Sequence, residues 1–239
     1  MGNEVTPRVA IVTGAGGGIG REICHGLRRE GYRIVACGRT ASTLDEAIAG
    51  EGTGADDLAI RADLTREDEA RMVIDRTIDH FGRVDVLVNN AARADLRPLP
   101  TSEPSFVDDH LRINFIAPLI MIQRVWETFV AQGGGRIVNL SSMATVDPFP
   151  GLGVYAATKC ALDSLTRSIR NEGSEFGIEA WSVAPGAVET SMLRSIVTED
   201  DLPAAQTLDP TTVADIIVAC ATGRRPDDAG TVILVPSPG

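Results

Sequence analysis

The residues best suited to chemistry are a tyrosine and a lysine four positions apart, in the segment Tyr155-Ala156-Ala157-Thr158-Lys159. On a helix such residues share one face, about 5–6 Å apart at Cβ. Tyrosine has a solution pKa of ~10 and must lose roughly 3 units, worth ~4 kcal/mol, to exchange protons near neutral pH. A cation ~4 Å from the phenolate supplies about that much at an effective dielectric constant near 20. The spacing predicts an acid–base tyrosine whose pKa the lysine lowers.

The composition strengthens this interpretation. The chain has 21 arginines but a single lysine, Lys159, and only two tyrosines. Arginine effectively never deprotonates, so it is poorly suited to passing protons, whereas lysine can do so. The alternative is that Tyr155 and Lys159 lie on an ordinary solvated helix face.

A glycine-rich loop, Thr13–Gly20, follows the first predicted strand and precedes a helix predicted over Arg21–Glu30. Glycine lets the backbone turn sharply and approach a phosphate closely, and the helix N-terminus adds unpaired N–H groups. The spacing is Gly-x₃-Gly-x-Gly, and no Lys-Ser/Thr follows as a P-loop requires. We predict a dinucleotide site at Gly14, Gly16, Gly17, Gly18, Ile19 and Gly20. The alternative is a glycine-rich turn without a ligand.

The end of the second predicted strand bears on which dinucleotide is bound. NAD-binding folds usually carry an acidic residue there, about 20 positions after the loop, to hold the ribose 2′-OH. Here Gly38 occupies that position and Arg39 follows it. Because arginine can pair bidentately with a 2′-phosphate, the sequence favours NADP(H), with NAD(H) possible. The alternative is that Arg39 is an ordinary solvated arginine.

Seven apolar, largely β-branched runs alternate with amphipathic stretches such as Arg66–Phe81. This alternation predicts an α/β fold with a doubly wound, seven-stranded parallel sheet flanked by helices on both faces. A closed (β/α)₈ barrel is disfavoured, because it needs eight strands and the sequence shows seven. No repeat or linker divides the chain, so we expect one domain over residues 1–239, with a substrate loop at about 190–210. The predicted strands are Val9–Thr13, Arg33–Cys37, Leu58–Ala62, Val84–Val88, Arg136–Leu140, Ile178–Val183 and Thr231–Val235.

The net charge of −11 argues against a nucleic-acid partner. No apolar run approaches the ~18 residues that span a bilayer, and no signal peptide is visible, so we expect no membrane association and a cytoplasmic location. The four cysteines form no CxxC pair and are interpreted as small buried residues of a reduced protein. The three histidines are far apart, which predicts no metal site.

Taken together, these motifs resemble the short-chain dehydrogenase/reductase family in its compact form, over essentially the whole chain. The resemblance implies a Rossmann-type fold and hydride transfer between a nicotinamide cofactor and a small alcohol or carbonyl substrate. It implies catalytic roles for Asn114, Ser142, Tyr155 and Lys159. It further implies that Asp63, Leu64, Asn89, Asn90 and Ala91 lie at the adenosine half of the cofactor. Pro185, Gly186, Val188 and Thr190 would lie at the nicotinamide, where Tyr155 and Lys159 also contact the cofactor.

Asn114 has a further structural argument. Pro118, four residues later in a helix predicted over Ser105–Ala131, has no N–H to give to the Asn114 carbonyl. In the family the corresponding carbonyl holds a water linked to the lysine. The alternative is that Pro118 merely kinks the helix.

The substrate is less determined. Apolar residues near the expected carbonyl suggest an apolar or mixed substrate, and Arg93 and Arg97 either attract an anion or are ordinary surface arginines, which we favour. Small residues along the helix predicted over Val154–Phe176 suggest packing across a two-fold axis of a homodimer or homotetramer; the alternative is burial within one chain. A non-catalytic NAD(P)-sensing protein and an NAD-dependent dehydrogenase remain the competing functions. A serine hydrolase is disfavoured, because Ser142 lacks a GxSxG setting.

Overall fold

The structure is a computed structural model that describes residues 7–49 and 56–238. Within those residues, seven strands form one parallel sheet in the order β3-β2-β1-β4-β5-β6-β7. The order reverses between β1 and β4, where an open sheet leaves a crevice at the carboxyl ends of its strands. This confirms the predicted sheet. The strands are β1 (Val9–Thr13), β2 (Arg33–Gly38), β3 (Leu58–Arg61), β4 (Val86–Asn89), β5 (Gly135–Leu140), β6 (Ile178–Pro185) and β7 (Val232–Val235).

Helices cover both faces of the sheet, as predicted. They are α1 (Gly18–Arg29), α2 (Ala41–Ile48), α3 (Glu67–Phe81), α4 (Pro104–Leu111), α5 (Ala117–Gln132), α6 (Gly153–Gly173), α7 (Ser191–Arg194) and α8 (Pro210–Ala221). Side chains alternate along each strand, so β1 sends Val12 to a core with α1 and α8, and Ile11 to a core with α3 and α5. The strands are therefore apolar on both sides, which explains their continuous hydrophobic runs.

The helix predicted over Ser105–Ala131 is interrupted by a π-helical turn. The turn spans Arg112–Ile116, and the N–H of Ala117 donates to the carbonyl of Arg112, five residues earlier. Pro118 follows directly and has no N–H to continue the regular ladder. Such turns are rare and often occur at functional sites. Asn114 lies at the centre of this one.

Two sequence predictions need correction. Helix α1 begins at Gly18, not at Arg21, so the last glycines of the loop form its first turn. Cys24, Cys37 and Cys220 are buried, and burial raises the pKa of each thiol to about 12. Cys160 is exposed on α6 instead, because it lies on the face of that helix that points away from the sheet.

Candidate active site

The glycine loop is shaped by close backbone contacts. Gly14 has a φ of +63°, a conformation that favours glycine, and a Cβ at Gly20 would lie 2.2 Å from the Gly14 carbonyl oxygen. The N-cap of α1 is Gly17, which makes no side-chain cap, and the first turn of α1 carries no acidic residue. The positive end of the helix is therefore left for an anion. It faces a cavity of about 440 Å³ lined by Gly16, Gly17, Gly18, Arg21, Glu22, Ser191, Asp209, Pro210 and Thr211.

The segment after β4 holds this loop in place. The side-chain amide of Asn90 donates to the carbonyls of Thr13 and Gly14 at 2.7 and 3.1 Å. The backbone N–H groups of Asn90 and Ala91 both donate to the Thr13 hydroxyl at 3.0 Å. Asn90 and Ala91 thus connect β4 to the glycine loop. Thr13, a polar residue ending an apolar strand, was not singled out from the sequence.

Asn89 is directed elsewhere. It is 2% exposed, and its amide donates to Asn139 at 2.8 Å. The Asn139 amide donates in turn to Thr166 on α6 at 2.9 Å. This buried chain joins β4, β5 and α6, so the Asn89 side chain takes no part in the surface of the crevice. This pairing could not be predicted from the sequence, because Asn89 and Asn139 meet only through the β4–β5 register.

The segments after β2 and β3 form the other end of the crevice. Arg39 is exposed at the end of β2, and its carbonyl accepts a hydrogen bond from Arg61 Nε at 3.1 Å. Asp63 follows β3 and accepts hydrogen bonds from the N–H and hydroxyl of Thr65. Leu64 is 5% exposed and packs into the core beneath. Arg61 was not identified from the sequence, and an arginine ending an apolar strand was the available signal.

The segment after β6 meets the glycine loop from the other side. Gly186 donates its N–H to Val235 at 2.9 Å, which ties the residue after Pro185 to β7. Val188 is buried and pairs with Leu208. Thr190 caps α7 by accepting from the N–H of Leu193 at 3.2 Å, and a Cβ at Gly18 would lie 3.2 Å from its methyl group. The expected phosphate and nicotinamide residues therefore adjoin.

Beyond Thr190, the expected substrate loop is held together by a buttressing arginine. The Arg194 guanidinium pairs with Glu189 and donates to the carbonyl of Leu202 at 2.8 Å. Thr207 also donates to the Glu189 carboxylate, at 3.1 Å. These contacts give the loop a defined path past the crevice.

Ser142, Tyr155 and Lys159 come together at the carboxyl ends of β5 and β6. Ser142 follows β5 and caps a short 3₁₀ turn by accepting from the N–H of Ala144 at 3.1 Å. Lys159 is 1% exposed, and its Nζ donates to the carbonyl of Leu140 at 2.6 Å. That ammonium lies 5.7 Å from the centroid of the Tyr155 ring. Lys159 is thus anchored on β5 beside the tyrosine.

The pKa shift of Tyr155 differs from the shift expected from the sequence. Burial raises the pKa of the Tyr155 phenol, and hydrogen bonding to Ser142 opposes that shift only in part. Burial lowers the pKa of Lys159 to about 8, opposed by the charge of Asp163. The prediction that Lys159 lowers the Tyr155 pKa is therefore wrong for this geometry, because the ammonium is directed at Leu140. The phenol stays protonated at neutral pH.

Asn114 links the segment after β4 to the tyrosine helix. Its side-chain oxygen accepts from the N–H of Arg93 at 2.9 Å, and its amide donates to the Arg93 carbonyl at 3.0 Å. The same amide donates to the hydroxyl of Thr158, which in turn donates to the carbonyl of Tyr155 at 2.7 Å. The side chain of Asn114 is therefore fully used in positioning α6, a role that the sequence did not indicate.

The two arginines after β4 have different environments. Arg93 pairs with Asp95 and Asp109, whereas Arg97 makes no ion pair within the described residues and lies 4.7 Å over the ring of Phe106. Both line a cavity of about 350 Å³, together with Asp95, Leu96, Phe106, Ser195 and Ile196. Arg97 also donates its N–H to Gly151, just before α6, at 2.9 Å. The cavity therefore adjoins the Tyr155 helix.

Among residues 7–49 and 56–238, no three or more His, Cys, Asp or Glu side chains are grouped so that they could hold a metal ion. In the same ranges, no helix has both the length and the apolar character needed to cross a membrane.

A glycine-rich loop at the reversal point of a parallel sheet, with a tyrosine–lysine pair beside β5 at the same sheet edge, is typical of a dinucleotide-dependent oxidoreductase. A family profile described as short chain dehydrogenase matches residues 8–201. The chain belongs to that family and is an NAD(P)-dependent enzyme acting on CH–OH or carbonyl groups.

Individual relatives agree. The chain is 31% identical to a 3-oxoacyl-[acyl-carrier-protein] reductase of Staphylococcus aureus, covering 95% of both. It is 30% identical to an uncharacterized oxidoreductase of Staphylococcus epidermidis, covering 92% of this chain and 93% of that protein. Its fold matches the crystal structure of a 3-ketoacyl-(acyl-carrier-protein) reductase from Brucella melitensis complexed with NADH, with a TM-score of 0.87, 26% identity and 96% coverage of both chains.

Proposed function

We propose that the protein is an NADP(H)-preferring oxidoreductase that interconverts an alcohol and a ketone or aldehyde, with Tyr155 as the acid–base group. The observation that carries this is the convergence of Ser142, Tyr155 and Lys159 at the same edge of the sheet as the glycine loop. A bound nicotinamide cofactor would supply or accept the hydride at this edge of the sheet.

The residues around the glycine loop fit such a cofactor. Gly17 and the uncapped first turn of α1 offer backbone N–H groups to the pyrophosphate, alongside the other loop residues Gly14, Gly16, Gly18, Ile19 and Gly20. Asp63 and Ala91 lie on the adenosine side. Gly186, Val188 and Thr190, in the segment between β6 and α7, lie on the nicotinamide side.

The protein's own residues then move the proton. In reduction, the protonated Tyr155 hydroxyl donates a proton to the substrate oxygen, and in oxidation it takes one back. The Ser142 hydroxyl donates a hydrogen bond to the same oxygen and stabilises its developing charge. Lys159 would hold the nicotinamide ribose of a bound cofactor, and its ammonium would stabilise the nearby Tyr155 phenolate. Asn114 fixes α6 so that these groups stay in register.

The choice of NADP(H) rests on Arg39 and on the glycine, Gly38, in the position where NAD-binding folds usually carry an acid. The Brucella neighbour was solved with NADH, so NAD(H) is the competing cofactor. We expect Arg39→Asp to weaken NADPH binding about tenfold or more and to spare NADH, since a carboxylate repels the 2′-phosphate but accepts the 2′-OH. Nicotinamide fluorescence titrations measure both affinities. Equal loss of the two cofactors would contradict the choice.

We further propose a cytoplasmic homodimer or homotetramer whose substrate is a small alcohol or carbonyl compound. The substrate enters beside the cavity lined by Arg97 and Phe106. Three large apolar side chains in the segments after β4 and β5 are each more than half exposed: Leu99, Val146 and Phe149.

The decisive experiment compares the parent protein with Tyr155→Phe across a panel of ketones and aldehydes with NADPH. We expect turnover in the parent and a loss of at least about 100-fold in kcat for the variant, because the proton donor is gone. NADPH affinity should change little. A parent that binds NADPH but turns over no carbonyl or alcohol would instead favour the sensing alternative.

A further inference from the structure

Two exposed arginines, Arg39 and Arg61, lie at the carboxyl ends of the neighbouring strands β2 and β3. The β2–β3 register places Arg61 opposite Gly38, the residue before Arg39. Arg61 Nε donates to the Arg39 carbonyl at 3.1 Å, so the Arg61 side chain reaches across the end of β2. Both arginines are exposed, and Gly38 contributes no side chain between them.

Within residues 7–49 and 56–238, neither arginine of this pair has the acidic partner that most arginines of the protein have. Twelve of the 21 arginines lie within 4 Å of a carboxylate oxygen in the described part of the chain. Arg39 and Arg61 are not among them. On the same edge, Arg66 pairs with Asp68 and Glu69. The Asp63 carboxylate accepts from Thr65 rather than from either arginine.

An anion at this edge would be attracted by the positive charge of both arginine side chains. A phosphate monoester is a dianion with several acceptor oxygens, which matches two guanidinium groups better than one. Nε of Arg61 is used by the Arg39 carbonyl, while its terminal N–H groups make no hydrogen bond in the described part of the protein. Those N–H groups can therefore donate to a phosphate.

We propose that Arg61 and Arg39 together form a clamp for the ribose 2′-phosphate of the cofactor, with Arg61 as a second specificity-determining residue. The inference rests on the proposed NADP(H) preference and extends it to a second strand. Arg61 acts twice, because its Nε fixes the backbone of Arg39 while its terminal N–H groups bind the phosphate. The end of β2 provides the position that discriminates the two dinucleotides in this fold class.

The test measures dissociation constants for NADPH and NADH in Arg61→Gln, Arg61→Lys and a control, Arg71→Gln. Arg71 is an exposed arginine on α3 that also lacks an ion pair among the described residues, so the control matches the change in net charge. We expect Arg61→Gln to weaken NADPH about tenfold and to leave NADH within twofold, since one charge-assisted contact to phosphate is lost. Arg61→Lys should restore part of the NADPH affinity, and Arg71→Gln should change neither.

Adenosine 2′,5′-bisphosphate and 5′-AMP locate the effect without the nicotinamide. Arg61→Gln should weaken the binding of adenosine 2′,5′-bisphosphate and leave the binding of 5′-AMP unchanged. Equal weakening of NADPH and NADH would overturn the inference, because Arg61 would then serve the adenine or the strand. Unchanged affinity for both cofactors in Arg61→Gln would overturn it as well. A parent protein that binds NADH alone contradicts the proposed cofactor preference itself, whereas NADPH selectivity that survives Arg61→Gln but not Arg39→Asp contradicts only the role of Arg61.

Discussion

At the scale of single residues, Lys159 carries its ammonium group in a buried environment that disfavours a charge. It is almost fully buried, and burial lowers its pKa from 10.5 to about 8. At a pH between these two pKa values, Lys159 is more fully protonated in the unfolded chain than in the folded protein. Stability conferred through this group therefore rises with pH across that range. The site keeps a destabilising ammonium because the proposed chemistry needs it beside Tyr155.

Lys159→Met removes this ionisation, and the pH dependence of its effect isolates it. We expect the free energy of unfolding of the parent, relative to the variant, to rise by about 2 kcal/mol between pH 7 and pH 9.5. Urea unfolding at several pH values measures the difference, and the Leu140 carbonyl left unpaired in the variant adds only a pH-independent offset. A difference that stays flat over this range would show that Lys159 keeps its ordinary pKa in the folded protein.

At the scale of elements, the turn from β1 into α1 has room for a Cβ at some of its glycines and not at others. A Cβ at Gly20 would lie 2.2 Å from the Gly14 carbonyl and 2.9 Å from the Asn90 amide, whereas at Gly17 the nearest atom is 3.5 Å away. Gly20→Ala should therefore lower the free energy of unfolding by at least about 2 kcal/mol, and Gly17→Ala by less than about 1 kcal/mol. Thermal unfolding of the two variants gives the comparison. Equal losses would show that the close contact at Gly20 does not set the cost.

The elements also show what the sequence could and could not predict. All seven strands were predicted, because strands buried on both faces are continuous apolar runs. The π-helical turn around Asn114 was not, since only Pro118 marked it and a simple kink was the alternative interpretation. The direction of the Lys159 ammonium depends on the Leu140 carbonyl, which β5 brings to α6 only in the folded chain. Arg61 was missed for the same reason, as strand register alone sets it beside Arg39.

At the scale of the whole molecule, a net charge of −11 opposes self-association, so a subunit interface must provide close apolar packing. The outer face of α6 fits that need. Ala157, Cys160 and Ser164 are small and exposed along it, at helical spacing, which rules out burial of these residues within one chain. Small side chains let two helices approach closely, and α6 also carries Tyr155 and Lys159. An α6–α6 contact would therefore stiffen the site in both subunits.

Ser164→Arg tests this contact by placing a large charged side chain on that face. In sedimentation velocity we expect the parent to run as a dimer or tetramer of the 25.3 kDa chain and the variant as a smaller species. Thr212→Arg, at an exposed position on α8, is the control and should sediment like the parent. Cys160 gives a second readout, because it is the exposed cysteine, and helices that cross near it should be joined by a short bis-maleimide. A monomeric parent protein would show that no subunit contact exists. A parent that cross-links no better than Ser164→Arg would show that the subunit contact lies away from α6.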